Sequence, residues 1–264
     1  MRTNILVVVE GKKAEPTLLK QISKSFGLDF EFYCLESNIY ALYKELKKLD
    51  FNCNIKDILA ERHPNQRAIL SNKFAYTYLV FDCDAHHSEK GDPRTIEQII
   101  QDNFQKLTEM ANYFVDETDP TIGRLYINFP MVESFRDCDS FFDNSYAENC
   151  VDIRALNGYK TIVSKRKLTR IHLNTYTKDN WTSLILQNAF KLNKIMVGQW
   201  RKPSYNDYLD LSILQTIVDK ENELASMSNK LAVLNMSLFI ILDYFGNKTG
   251  FYDLLNDTTT DNKA

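Results

Sequence analysis

Two short acidic motifs in this sequence each follow an apolar run that is typical of a buried β-strand. Glu10 and Glu15 follow the run ILVVV, and Asp82 and Asp84 follow the run YLVF. In an open α/β sheet, functional side chains gather beyond the carboxyl ends of the strands. Four carboxylates in one crevice repel each other, and a hard cation such as Mg²⁺ or Mn²⁺ is the simplest compensation. The motifs therefore predict a metal site suited to phosphoryl chemistry.

Hydrophobic periodicity predicts the elements that carry these acids. Strands are predicted at Asn4–Val9, Phe30–Leu35, Phe74–Phe81 and Gly123–Asn128. Helices are predicted at Glu15–Phe26, from a cap at Ser37 to Leu49, at 55–72 with a break near Pro64, at Arg94–Phe114, and within Pro130–Phe142. This alternation predicts an α/β fold whose mostly parallel sheet is flanked by helices.

Beyond residue 145, strands become hard to identify, and the sequence predicts helices. An apolar stripe includes Trp181 and Leu184, and we expect Gln187, Lys191 and Lys194 to face away from it. Two more helices are predicted at Asp210–Lys220 and Ala225–Phe245. The predicted organisation is a sheet domain over 1–145, a helical, basic C-terminal region over 146–255, and a disordered polar tail over 256–264.

The composition is that of a globular protein in a reducing compartment. Of the 264 residues, 44% are hydrophobic and 25% are charged, which is ordinary for such a protein. The five cysteines show neither zinc-ligand spacing nor an even count for disulfides. No apolar run reaches the length of a signal peptide or a membrane span. We therefore expect a cytoplasmic protein with no membrane association.

The charge is distributed unevenly along the chain. The net charge is −3, but residues 154–202, which we call the basic segment, contain eleven Lys and Arg and a single acid, Asp179. The segment therefore carries +10 (11 − 1) and the rest of the chain −13 (−3 − 10). Solvated helix faces usually mix charges of both signs, so this asymmetry favours a surface that contacts phosphates. The candidate nucleic-acid contacts are Lys165, Arg166, Lys167 and Arg170.

Several other folds that use acidic or phosphate-binding motifs do not match. Haloacid-dehalogenase-like phosphatases carry DxDxT after their first strand, whereas the DxD here follows the third predicted strand. Receiver domains carry paired acids after the first strand, which Glu10-Gly11 does not supply. The sequence contains neither GxxxxGK[ST] nor GxGxxG, so a P-loop or Rossmann site is not supported.

The order of the motifs resembles the Toprim domain, and within it the small RloB-like and OLD-nuclease-like proteins associated with phage defence. Residues 10–16, EGKKAEP, resemble the EGxxTEP opening of that group, with Ala14 in place of Thr. Residues 82–86, DCDAH, resemble its DxDxH segment, and residues 128–135, NFPMVESF, resemble its NPxFExW segment. Phe129 interrupts the Asn-Pro pair, and the His that follows in the family is missing. The resemblance covers about 145 residues, with a weaker match around Lys160.

The resemblance implies a metal-dependent nuclease acting on DNA or RNA, with tRNA among the candidate substrates, in an anti-phage system with an ABC-type ATPase partner. It implies metal ligands at Glu10, Glu15, Asp82, Asp84 and Glu133. Catalysis would rest on Glu10, Asp82, Asp84 and Lys160, with Mg²⁺ or Mn²⁺ as cofactor. His86 is close enough in sequence to reach the cluster, whereas His87 is more typical of a loop.

Two other functional interpretations remain open at this stage. A non-catalytic Toprim subunit, which binds a nucleotide or a partner in the acid pocket, would show the same motifs. A primase-like enzyme is less favoured, because the short chain lacks a zinc-binding module. The sequence also leaves open a homo-oligomer and the choice between DNA and RNA.

Overall fold

A computed structural model describes residues 4–249 together with Tyr252 and Leu255. The main sheet has five strands in the order β2-β1-β3-β5-β4; four are parallel, and β4 pairs antiparallel with β5. Its strands are β1 (Asn4–Val9), β2 (Asp29–Cys34), β3 (Tyr76–Asp82), β4 (Val115–Asp116) and β5 (Gly123–Asn128). A second, antiparallel pair is formed by β6 (Cys150–Asp152) and β7 (Lys230–Ala232).

Ten α-helices are assigned within the described residues. They are α1 (Ala14–Phe26), α2 (Ile39–Lys48), α3 (Ile55–Arg62), α4 (Arg67–Leu70), α5 (Ile96–Tyr113), α6 (Tyr159–Val163), α7 (Lys178–Val197), α8 (Tyr205–Leu211), α9 (Leu214–Ser228) and α10 (Phe239–Thr249). The prediction of an α/β fold with a mostly parallel sheet, flanking helices and a helical C-terminal region is confirmed. Among the described residues, no helix is both long and apolar enough to span a membrane.

The register of the sheet aligns the carboxyl ends of its central strands. Val9 of β1 pairs with Val80 of β3, and Asp82, the last residue of β3, pairs with Asn128, the last residue of β5. The apolar runs of β1 and β3 are fully buried because helices cover the sheet on both faces. The segments that leave β1, β3 and β5 therefore emerge side by side at one edge of the sheet.

The C-terminal region packs directly against the sheet layer. Helix α7 contacts α1, and α9 contacts α5. Phe129, just after β5, forms a backbone bridge with Leu234. The hydrophobic core runs without interruption from the sheet into these helices, so the chain on both sides of residue 145 shares one core. The tail predicted at 256–264 lies outside the described residues.

Several local predictions are wrong. The helix predicted over Ala225–Phe245 is interrupted, because Asn229 adopts a left-handed conformation (φ 54°) and β7 follows it. The segment Pro130–Phe142 contains only a short 3₁₀ turn at Val132–Arg136. The helix predicted over Asp210–Lys220 is two helices, since α8 ends before α9 begins.

Helix α7 is buried on more sides than its predicted stripe allows. Gln187 and Lys191, which were expected to face away from the core, are both almost fully buried. The Lys191 ammonium donates hydrogen bonds to the carbonyl oxygens of Ala147 (2.9 Å) and Asn149 (2.8 Å). Burial lowers the pKa of Lys191. This lysine therefore ties the 147–149 segment to the helix.

A buried polar cluster fastens α8 and α10 to the sheet. The Asp243 carboxylate on α10 accepts hydrogen bonds from the hydroxyls of Tyr126 on β5 and Tyr208 on α8. The guanidinium of Arg124 lies 3.4 Å from the same carboxylate. We call these four residues the Asp243 cluster.

Candidate metal and phosphate site

A cavity of about 640 Å³ opens at the carboxyl edge of β1 and β3. Glu133 lies beside it, with its Oε1 3.3 Å from the Lys160 ammonium. We call this site, together with Glu133, the acid cavity; the side chains that line it include Glu10, Glu15, Asp82, Asp84, His86 and Lys160, with Lys12, Lys13 and Glu36 also on its wall. The structure thus brings together all the acids, and the lysine, that the sequence singled out for metal binding and catalysis.

Strand β1 and the start of α1 supply two of the acids. Glu10 directly follows the last residue of β1, and Glu15 lies in the first turn of α1. Gly11 lets the two approach, because a Cβ at that position would lie 3.3 Å from Glu15 Oε2. A larger side chain there would push against the carboxylate. The glycine therefore leaves room for the Glu15 carboxylate.

Strand β3 supplies Asp82 and Asp84. Asp82 ends the strand, and Asp84 has a φ of +37°, a left-handed conformation that aspartate tolerates better than most residues. The Asp84 amide donates to the carbonyl of Pro130 (3.3 Å), and its carbonyl accepts from the amide of His87 (2.7 Å). This turn keeps Asp84 in the cavity, although the strand has already ended.

Strand β5 contributes a positioning residue that sequence reasoning did not select. The side-chain amide nitrogen of Asn128 lies 3.4 Å from Asp82 Oδ1. Asn128 Oδ1 accepts hydrogen bonds from the backbone N–H and the hydroxyl of Ser237. Asn128 therefore couples Asp82 to the C-terminal region. Its position at the end of a strand, like that of Asp82, is a sequence signal that would have identified it.

Burial and mutual repulsion raise the pKa values of four acids. Burial raises the pKa of Glu10 to about 8, and the charges of Asp84 and Glu15 add to the effect. Burial also raises the pKa of Glu15, although backbone amide groups oppose the shift. The pKa of Asp82 lies well above its usual value because of burial and then of the neighbouring acids, and burial likewise raises that of Asp84. The site favours any ligand that brings positive charge.

Lys160 provides a cationic side chain within the cavity. Burial acts to lower its pKa, but Glu133 and then Asp82 and Asp84 outweigh that effect, so its pKa is raised. The side chain is 63% exposed, so its ammonium group is accessible from solvent. Lys12 and Lys13 also line the cavity, but Lys12 pairs with Glu36 (2.8 Å), so the five carboxylates are only partly compensated. Two carboxylate oxygens, Glu10 Oε2 and Glu133 Oε2, are buried without a hydrogen-bond partner among the described residues.

The two adjacent histidines have different surroundings. His86 lines the acid cavity, and burial lowers its pKa although Asp84 opposes that shift. The ring of His87 stacks on Tyr40 at a centroid distance of 5.5 Å, and Asn38 contacts its nitrogens. His86 is therefore available to a ligand in the cavity, whereas His87 belongs to the packing of α2.

The donor set suits a hard cation that keeps part of its water shell. Within residues 4–249, 252 and 255, no three Asp, Glu, His or Cys side chains are placed closely enough to enclose a metal ion. Mg²⁺ commonly binds through one or two carboxylates, with water and substrate phosphate completing its shell. Carboxylates with unpaired buried oxygens and raised pKa values fit that mode of binding. Asp82 and Asp84 would hold the ion, with Glu10, Glu15 or Glu133 beside it.

Acids from outside the basic segment neutralise part of its charge. Within the described residues, four of its eleven basic side chains form ion pairs with such acids: Arg154 with Glu97, Lys160 with Glu133, Arg166 with Asp137, and Lys194 with Glu148. The count along the sequence therefore overstates the free positive charge of the segment, because it cannot include partners that the fold supplies; that the segment contacts phosphates stays a prediction.

The predicted nucleic-acid contacts divide into two kinds. Arg166 is a structural residue, since its Nε lies 2.7 Å from the buried carboxylate of Asp137. Lys165, Lys167 and Arg170 are exposed and make no ion pair within the part of the chain that the structure describes. The Lys167 amide donates to Asp139 Oδ1 (2.8 Å). Contacts between residues 133–139 and 160–167 thus hold these three cations on a segment that begins at the acid cavity.

Comparison of the chain with models of known families, with curated proteins and with solved structures finds no match. The resemblance to the Toprim domain therefore stays a prediction that rests on the motifs.

Proposed function

We propose that the protein is a divalent-metal-dependent phosphodiesterase that hydrolyses nucleic acid in the acid cavity. One observation carries this proposal: five carboxylates, which follow β1, β3 and β5 or lie in the first turn of α1, share a partly desolvated site with Lys160. Burial of a carboxylate that has no partner costs folding free energy. A site that keeps five carboxylates is suited to bind cations, and a cation between carboxylates attracts a phosphate.

The residues of the chain would divide the work as follows. Asp82 and Asp84 would hold the metal, and Glu15 and Glu133 would orient its water shell. When bound, the metal supplies a Lewis acid that neutralises charge developing on the phosphate. Glu10, with a pKa of about 8, would accept the proton of the attacking water, since a general base works best when its pKa lies near the operating pH. Lys160 would contact a non-bridging phosphate oxygen.

The exposed cations support a polynucleotide rather than a small phosphoester as substrate. Lys165, Lys167 and Arg170 lie on the segment that leaves the acid cavity after Lys160. Such cations are suited to contact phosphates that flank the one in the cavity. The resemblance to RloB-like and OLD-like Toprim nucleases supports the same class of substrate, in an anti-phage setting with an ABC-type ATPase as partner.

A second candidate is a non-catalytic subunit that binds a ligand in the acid cavity. It is favoured by the finding that no three donors enclose a metal position among the described residues, and by the Lys160–Glu133 ion pair, which already neutralises one acid. This subunit would bind phosphate-containing ligands without cleaving them.

The two candidates are separated by a cleavage assay on the full-length chain. Wild type, Glu10→Gln and Asp82→Asn should be incubated with single-stranded DNA, duplex DNA and tRNA in Mg²⁺ or Mn²⁺, alone and with any ATPase encoded beside it. We expect wild type to cleave at least one substrate. Each variant should lose at least about 100-fold in rate, because even supporting residues of a metal site cost up to that factor.

The double variant Glu10→Gln/Asp82→Asn provides a further check. If the two residues serve one centre, it should be no slower than the slower single variant, because effects within a catalytic unit are not additive. Cleavage that survives Asp82→Asn would overturn the proposed mechanism. Binding without cleavage under every condition would favour the non-catalytic subunit.

A further inference from the structure

A second, smaller cavity of about 260 Å³ adjoins the acid cavity. We call it the side cleft, and its walls include Leu18, Val132, Glu133, Phe135, Arg136 and Leu173. Lys13 and Ala14 line both cavities. Glu133 also belongs to both sites, since it lines the cleft while its Oε1 contacts Lys160. A ligand in the acid cavity can therefore extend into the side cleft.

The side cleft combines apolar walls with two polar groups that lack partners. Arg136 Nε and Glu133 Oε2 are buried without a hydrogen-bond partner among the described residues. They are three residues apart in a 3₁₀ turn, a spacing that places side chains on the same side. An unsatisfied buried polar group lowers the stability of the folded state. An open donor and an open acceptor on one turn indicate a ligand that offers both an acceptor and a donor.

The planar groups in the cleft suit a flat ligand. The Arg136 guanidinium carbon lies 5.4 Å from the centroid of the Phe135 ring. Proteins that bind single strands stack bases on aromatic rings and on guanidinium planes. A nucleobase has apolar faces and an edge with both hydrogen-bond donors and acceptors, which matches the walls and the open pair.

The size of the cleft limits what it can accept. Its 260 Å³ is below the roughly 300–1,000 Å³ of pockets that enclose drug-sized ligands, so it suits one ring system and excludes a base pair. Bases of an intact duplex stay inside the stack unless an enzyme extrudes them. The occupant would therefore be an unpaired base.

We propose that the side cleft receives one unpaired nucleobase next to the phosphate in the acid cavity, so that the substrate is a single-stranded segment or loop. This inference rests on the proposed function, because it uses the acid cavity as the phosphate site. Arg136 and Glu133 would read the edge of the base, and Phe135 and the aliphatic walls would contact its faces.

The test uses short single-stranded oligonucleotides that carry 2-aminopurine at successive positions, with the full-length protein in Ca²⁺. Because this base brightens when it leaves the stack, wild type should raise its emission at one position only. Arg136→Met keeps the aliphatic stem but removes the guanidinium, so it should abolish that rise and weaken binding about tenfold, as expected for the loss of one base contact. Lys73→Met removes an exposed cation at the opposite edge of the sheet and should change neither readout.

Parallel cleavage assays in Mg²⁺ separate this inference from the proposed function. If wild type cleaves nucleic acid but Arg136→Met keeps the wild-type emission pattern, the side cleft does not hold a base and only this inference fails. If no substrate is cleaved but the Arg136-dependent emission is present, the base site stands and the nuclease function fails. Equal binding of duplex and single strand, or emission that rises at no position, would overturn the inference.

Discussion

The acid cavity and the Asp243 cluster both place carboxylates beside the same sheet, but the carboxylate of the cluster is paired by groups of its own chain, whereas several in the cavity are not. Asp243, whose side chain is 3% exposed, accepts two tyrosine hydroxyls and faces the guanidinium of Arg124. The acids of the cavity repel each other, and although Lys160 pairs with Glu133, they leave Glu10 Oε2 and Glu133 Oε2 unpaired within the described chain.

This difference separates a structural carboxylate from a functional one. A buried acid that serves stability is satisfied by hydrogen bonds and a cation from its own chain. A buried acid that serves function keeps its oxygens free for a ligand, which lowers the stability of the folded protein. The same substitution, aspartate to asparagine, should therefore have opposite effects on stability in the two regions.

The largest effect on stability is expected at the Asp243 cluster. In Asp243→Asn, one tyrosine hydroxyl loses its acceptor and Arg124 loses its charged partner, which should lower the free energy of unfolding by about 2–3 kcal/mol. Asp84→Asn should keep or raise it, because repulsion is relieved and asparagine also tolerates the left-handed conformation of that position. Urea unfolding at pH 8 in EDTA measures both values. Equal losses in the two variants would remove the distinction between the regions.

A smaller effect is expected in the pH dependence of stability. The pKa of Glu10 is about 8 in the folded protein, against an ordinary value of 4.5, so between these two pH values the folded state binds more protons than the unfolded state. Stability should therefore be highest below about pH 4.5 for this group and fall as the pH rises to about 8. After relaxation of the site, we expect Glu10 to account for a loss of about 2 kcal/mol.

The pH prediction is checked with Glu10→Gln in EDTA. Urea unfolding across this pH range should show a shallower decline in stability for the variant than for wild type. The same slope in both proteins would mean that Glu10 ionises freely in the folded state.

The smallest expected effect concerns the exposed cations of the basic segment. In the triple variant Lys165→Glu/Lys167→Glu/Arg170→Glu, the plot of log K, the binding constant for a single strand, against log salt concentration should become less steep by about 2. This corresponds to about 0.7 per lost phosphate contact. Arg166 is left intact, because its removal would leave the buried Asp137 unpaired. Fluorescence anisotropy with a labelled oligonucleotide measures the slope.

The matched control for this prediction changes the same charge elsewhere. Lys24, Lys48 and Lys73 are exposed and lie toward the amino edge of the sheet, away from the acid cavity. Reversal of these three to glutamate should leave the slope near that of wild type. Equal effects in the two triple variants would show that net charge, rather than the position of the cations, governs binding.

The sequence predicted the parts of the fold whose signal is local. The apolar runs of β1 and β5 predict the observed bounds Asn4–Val9 and Gly123–Asn128. The short strands β4, β6 and β7 were missed because two or three residues carry no periodicity. The region after Ala225 was predicted as one helix because its apolar residues are buried on all sides, which hides the change from helix to strand.

The sequence could place the acids of the site in one crevice, because the carboxyl ends of neighbouring parallel strands share an edge. It could not predict the turn that directs Asp84 into the cavity, since the left-handed conformation depends on contacts with Pro130 and His87. It also missed the support that Ser237 gives to Asn128 across 109 residues. Such long-range contacts appear only when the chain is folded.

The measurement that tests the central claim most directly is calorimetric titration of the metal-free, full-length protein with Mn²⁺ and Mg²⁺ at pH 8. We expect saturable binding to wild type and to Asp57→Asn, which changes an exposed acid in the first turn of α3. Asp82→Asn should bind at least about tenfold more weakly, because it removes a central carboxylate of the site. Absence of saturable binding to wild type, or equal binding to Asp82→Asn, would contradict a metal site in the acid cavity.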